Sequence, residues 1–213
     1  MLGYAARAVP WMRVAVAAIL VVVLMELVRW DAWMLWPLQG TAVGLLAAAA
    51  AWCFDEQAGI VVDVAPRTLA WRSASRGLGV LVLFLAWVAV VLHAGDTALF
   101  GHRNAVLLQG LAALVAGAGY ACWRRSLGEP MPGLLFAGVA VPATTAWALL
   151  HPFDEHLVVF PYGSASETDW QVSVIGWSLL GVCAAVLIAA ALAEAPWWGR
   201  GHAHRGGLPT RSV

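Results

Sequence analysis

Lysine is missing altogether: the twelve basic side chains among the 213 residues are all Arg. Without an ammonium to cradle phosphates or to form a Schiff base, the chain cannot itself be a P-loop ATPase or carry a retinal-type chromophore. Cys is scarce, and Cys53, Cys122 and Cys183 have neither CxxC nor zinc-type spacing, so they read as small apolar residues. Charge is thin at 11% of residues, against about 25% in soluble domains. The formal net charge is zero, so no basic field draws the chain to nucleic acid. A GxSxG elbow, an HExxH helix and a paired acidic motif for magnesium are also absent, and neither an enzymatic activity nor a cofactor is expected.

Hydrophobic residues are abundant, at 62% with a mean hydropathy of +0.79. A soluble fold of this size could not cover so much apolar surface. The expectation is an all-α, polytopic membrane protein with six transmembrane helices over residues 1–195 and a disordered tail over 196–213, rich in Gly, Arg and His. The spans run over about Trp11–Trp30, Leu38–Phe54, Leu78–His93, Ala105–Trp123, Leu134–Leu150 and Val172–Ala193. No small-residue cleavage site follows the first before Trp30, Trp33 and Trp36, so it reads as an uncleaved helix. Gly40 and Gly44, four apart, predict close approach to another helix. Pro142, with Thr144 and Thr145 after it, predicts a kink whose freed carbonyl needs a partner.

Orientation follows from the arginines. Arg29 and Arg103 fall on one side of the six spans, and Arg7, Arg13, Arg67, Arg72, Arg76, Arg124, Arg125, Arg200, Arg205 and Arg211 fall on the other. By the positive-inside rule both termini are cytoplasmic, in a cell inner (plasma) membrane. The largest polar break between spans, FDEQAGIVVDVAPRTLAWRSASR from Phe54 to Arg76, then faces the cytoplasm. Asp55 and Glu56 come straight off the second span, and Asp63 sits in a short apolar run. Pro66 suits the first residue of a helix. From there to Arg76, helical spacing sets Arg72 and Arg76 on one face, with Leu69 and Trp71 available for lipid or helix contact. Such a helix either anchors the loop at the headgroups or is gripped by a cytoplasmic partner.

In the order of its parts the chain resembles the membrane subunit of ABC-2-type exporters. The parts are a basic interfacial N-terminus, six spans, a helical cytoplasmic loop after the second and a longer outer loop before the sixth. The string FDEQAGIVVDVAPRTLAWRSASR is similar to loops of small actinobacterial ABC-2-like permease subunits. The resemblance implies a separate cytoplasmic ATPase docking on this loop through Asp55, Glu56, Asp63, Pro66, Arg67, Trp71, Arg72 and Arg76. It also implies a second membrane subunit, identical or not, beside the lipid. The alternative is a membrane protein with no ATPase partner, either a small-substrate binding component or an assembly factor.

Two further features stand out. Glu26 is the one acid inside a span, and Arg29 three residues on predicts a structural ion pair. On the outer side, His93, His102, His151 and His156 lie near Asp96, Asp154 and Glu155, but HPFDEH matches no standard zinc spacing and no metal site is assigned. The apolar loop LVVFPY, Leu157 to Tyr162, is expected to dip into the membrane or pack on helix ends. Trp87, Trp147 and Trp177 sit within spans, where core packing is their expected use.

Overall fold

The computed structural model describes residues 7–56, 69–151, 158–162 and 166–194. Among these residues the chain is helical with no strand. In order come α1 (Trp11–Trp30), α2 (Ala32–Leu35), α3 (Pro37–Trp52), α4 (Leu69–Ala98), α5 (Arg103–Ser126), α6 (Pro132–Leu150) and α7 (Glu167–Glu194). Five of them, α1, α4, α5, α6 and α7, are long and apolar enough to cross a membrane. The remaining long element, α3, has 16 residues and so rises about 24 Å, short of a full hydrocarbon thickness. Six spanning helices were expected, and five meet that length.

The helix faces explain the arrangement. Along α1 the buried positions Val14, Ala17, Val21, Met25 and Val28 recur every three or four residues, while Met12, Val16, Ile19 and Val23 point outward. An apolar stripe inside and an equally apolar face outside suit lipid and not water. The same holds for α7, whose Ile175, Leu179, Val182 and Val186 are exposed. This is the architecture of a multi-pass membrane protein.

Two helices form the interior. In α5, 67% of the apolar window is buried, against 17% in α6 and α7, and in α3 the run from Leu46 to Ala51 is buried throughout. Small residues make this possible, because they let backbones approach. A Cβ on Gly117 of α5 would collide with the Ala47 carbonyl oxygen of α3. The partner of the Gly40 and Gly44 face is α6: added Cβ atoms there would meet Ala148 and Thr144. Beside them the Thr41 and Thr145 hydroxyls lie 3.0 Å apart. Pro142 is held inside α6, where Thr144 and Thr145 donate back to the Ala140 and Val141 carbonyls.

Helix α4 departs from the sequence reading. The stretch up to Arg76 was expected as a separate helix along the membrane surface, yet α4 runs unbroken from Leu69 through Gly77 and Gly79 until Gly95, φ 76°. Its buried positions Arg72, Arg76, Gly79, Leu83, Trp87 and Val90 form a single stripe. The arginines therefore turn inward with the apolar residues that follow them. Alternate long helices run in opposite directions. The start of α1, the end of α3, the start of α4, the end of α5 and the start of α6 thus meet at one end, the arginine-rich end.

Candidate functional site

The arginine-rich end is closed by an ion cluster built on Glu56. After the alanine run of α3 the chain leaves the helix through tightened turns, with Phe54 N–H donating to Ala51 and Asp55 N–H to Trp52. Glu56 N–H then donates to the Pro130 carbonyl at 2.8 Å, which ties this strand of chain to the α5–α6 link. Gly128, φ 89°, ends α5 there, and Pro130 and Pro132 prevent the helix from continuing. The turn leaves Arg125, in the last helical turn of α5, aimed at the same point.

Three guanidinium groups converge on the Glu56 carboxylate. Arg72 Nη1 is 3.0 Å from Oε2, Arg76 Nη2 is 3.0 Å from Oε1, and Arg125 Nη2 also donates to Oε2. All four side chains are at most 10% exposed. Arg76 does double duty: its Nη1 donates to the carbonyls of Asp55 at 2.6 Å and Cys53 at 3.4 Å. Arg125 also donates to the Glu129 carbonyl at 3.2 Å, and Arg124 pairs with the Glu129 carboxylate. Buried charges persist only when paired and hydrogen-bonded, and the fork geometry of Arg supplies both at once.

Asp55 anchors the other side of the cluster. Its Oδ1 accepts the Gly133 N–H at 2.8 Å, satisfying a donor in the first turn of α6 that has no intrahelical partner. Its Oδ2 accepts from Arg13 of α1 at 3.3 Å. Burial pushes the Asp55 carboxyl above its ordinary value, opposed by the Gly133 hydrogen bond and by the charges of Arg13 and Arg76. Five helices, α1, α3, α4, α5 and α6, thus meet through two neighbouring carboxylates.

Of the residues the sequence assigned to a partner interface, Asp55, Glu56, Arg72 and Arg76 come together in this internal cluster. Trp71 is partly buried beside it. Asp63, Pro66 and Arg67 lie outside the described residues. Glu26 and Arg29 are 3.1 Å apart at the opposite end, with His93 Nε2 at 3.2 Å from the same carboxylate. The sequence reading used Arg125 only to orient the chain, and placed Arg13 in the basic interfacial N-terminus, facing headgroups. The stripe that α4 shares with Leu83 and Trp87 was the available sign that its arginines point inward.

A second polar group, made of neutral amides and hydroxyls, was not anticipated. Gln39 of α3 donates to Gln109 Oε1 of α5 at 3.0 Å, Tyr162 donates to the same oxygen at 3.0 Å, and Gln109 Nε2 donates to Ser173 of α7 at 3.3 Å. Ser173 and Trp177 both donate to the Val159 carbonyl. Residues 158–162 are thereby stitched into the bundle, with Phe160 and Tyr162 buried. Two amides in otherwise apolar spans were the signal for this group.

Among the described residues, the other histidines that were expected on the outer side go to separate partners. His102 stacks on Trp170 at 4.0 Å, His151 lies 4.7 Å from Trp36, and Asp96 is 3.5 Å from Arg103. Among the described residues no three of His, Cys, Asp or Glu converge. Asp154, Glu155 and His156 lie outside them. Trp87 is fully buried, its indole against Gly110.

Paired charges with several hydrogen bonds each hold five helix ends in a fixed relation. No family model matches the chain, and neither a curated protein nor a solved structure matches it.

Proposed function

We propose that the chain is the integral membrane subunit of an ABC-2-like exporter in the plasma membrane. In this reading a separate cytoplasmic ATPase acts on the segment between α3 and α4, a second membrane subunit completes the assembly, and α3 is the sixth span. The arginine-rich end faces the cytoplasm. The observation that supports the reading is the Glu56 cluster. The residues that enter the segment, Asp55 and Glu56, and those that follow it, Arg72 and Arg76, are locked to each other and to α5 and α6. A push on residues 57–68 would therefore move several helix ends as one body, which is what a coupling loop requires.

Burial of Arg72 and Arg76 favours the second reading, a membrane component or assembly factor without an ATPase, because those charges are turned away from any docked protein. Purification decides between the two. The tagged chain, drawn in mild detergent from its native host, is expected to bring a P-loop ATPase with it. Arg67→Glu, which changes none of the cluster residues Asp55, Glu56, Arg72, Arg76 and Arg125, is expected to reduce that yield at unchanged thermal stability. A preparation with no ATPase at matched expression overturns the exporter reading and leaves the second.

A further inference from the structure

Beside the ion cluster, α1 and α6 are separated by a groove of about 390 Å³ lined by Met12, Arg13, Val16, Trp52, Met131 and Leu134. Five of these side chains are apolar, and among the described residues the charge is Arg13 alone. Its Nη1 reaches Asp55 at 3.3 Å, yet the side chain remains 40% exposed. Met12, Val16 and Leu134 are exposed on the outer surface of the bundle, so the groove opens sideways where the membrane would be.

We propose that this groove binds an anionic glycerophospholipid, with its phosphate on the Arg13 guanidinium and one acyl chain along Val16 and Leu134. A cation at the helix end with an apolar channel running from it matches that chemistry from headgroup to tail. Arg13 lies in the first turn of α1, where the helix dipole adds positive potential. Trp52 closes the back of the groove with an aromatic surface suited to the interface. Free phosphate would gain the Arg13 contact but would sit against apolar walls. A second copy of the chain fits poorly, because the described acids at this end are spent internally: Asp55 and Glu56 are buried and Glu129 is paired with Arg124. Because Arg13 also holds Asp55, a bound phosphate shares the guanidinium with the cluster, so lipid occupancy acts directly on the clamp between α1 and α6.

The test uses the full chain purified into discs of equal parts phosphatidylcholine and phosphatidylglycerol, with retained lipid counted by native mass spectrometry. Wild type is expected to retain phosphatidylglycerol in preference. Arg13→Gln, which keeps a donor for Asp55, is expected to lower that preference about fivefold, the ratio for one basic side chain at an anionic surface. Leu134→Trp fills the groove from an exposed position, leaves Arg13 and the cluster in place, and is expected to abolish retention of both lipids. It carries the test should Arg13→Gln fail to fold. Excess glycerol 3-phosphate is expected to displace nothing. Equal retention of the two lipids by wild type, retention that survives Leu134→Trp, displacement by glycerol 3-phosphate, or a dimer in place of the lipid adduct would each overturn the proposal.

Discussion

Replacing Glu56 by Gln removes one negative charge and little volume, so its effect isolates the electrostatics of the cluster. In the native chain three guanidinium groups share that carboxylate, each within hydrogen-bonding reach and none more than 10% exposed. A single pair at this separation is worth about 4 kcal/mol at an effective dielectric constant near 20. Desolvation of the ions and repulsion among the three arginines offset much of the sum. The measured cost of breaking buried pairs while leaving one partner in place is about 3–5 kcal/mol. For a chain of this size that corresponds to a fall in melting temperature of about 6–20 °C. Glu26→Gln is the matched control, since the Glu26–Arg29 pair is 40–48% exposed and such pairs contribute about 0–1 kcal/mol. Thermal unfolding in detergent, followed by far-ultraviolet circular dichroism, compares the two directly. If Glu56→Gln melts no lower than Glu26→Gln, the cluster does not hold the helix ends together and the mechanical argument fails with it.

Arg76→Lys keeps the charge but not the fork that reaches Glu56 and two backbone carbonyls at once. It is expected to lose about 1–3 kcal/mol from the carbonyls left without a donor, read as a lower melting temperature than wild type; an unchanged melt refutes the dual role. Asp55 gives a pH dependence of definite sign. Its folded carboxyl binds a proton more tightly than the ordinary value of 3.8, so its contribution is fully present below that value and is lost as pH rises through the raised one. Asp55→Asn keeps an acceptor for Gly133 and should remove this fall in melting temperature just above pH 3.8; parallel wild-type and variant profiles there count against the assignment. Gly117→Ala must displace the Ala47 backbone and is expected to cost about 1–3 kcal/mol. Gly138→Ala, in open space in α6, should be neutral or stabilising by up to about 1 kcal/mol, and equal melts for the two would contradict the close approach of α3 and α5.

What could be read from the sequence follows from what each signal constrains. Apolar length reports on single helices, so the spans were placed to within a few residues for α1 and α6, whose runs end sharply at Trp30 and Leu150. Gly40 and Gly44 announced a close approach, but a small-residue face is blind to its partner, and α6 became visible only through Thr144 and Ala148. The Gln39–Gln109 bond joins residues 70 apart, a separation over which spacing carries no information. The end of the surface helix at Arg76 was misjudged for another reason. The polar loop was closed at Arg76 and the next span begun at Leu78, yet the helix runs on through Gly77, because the Arg side chains find their carboxylate inside the bundle and need not turn toward headgroups.

The absence of lysine acquires a structural counterpart at these positions. An arginine that snorkels to headgroups and one buried at a bundle end leave the same mark in a charge count, so the expected orientation is the same whichever role each residue plays. The two roles differ in what they ask of the side chain. At the headgroups a point charge suffices. At Glu56 the three cations must crowd one carboxylate in a site closed to water, which favours a planar, weakly hydrated group with donors in fixed directions over a compact, strongly hydrated ammonium. Arg76 makes the requirement explicit by bonding the Glu56 carboxylate with one nitrogen and the chain that leads to it with the other. That second bond fixes the backbone at Asp55, and Asp55 in turn holds Gly133 and Arg13. The arginines from which an orientation was expected therefore also set the spacing of α1, α3, α4 and α6, and a change at any of them acts on packing.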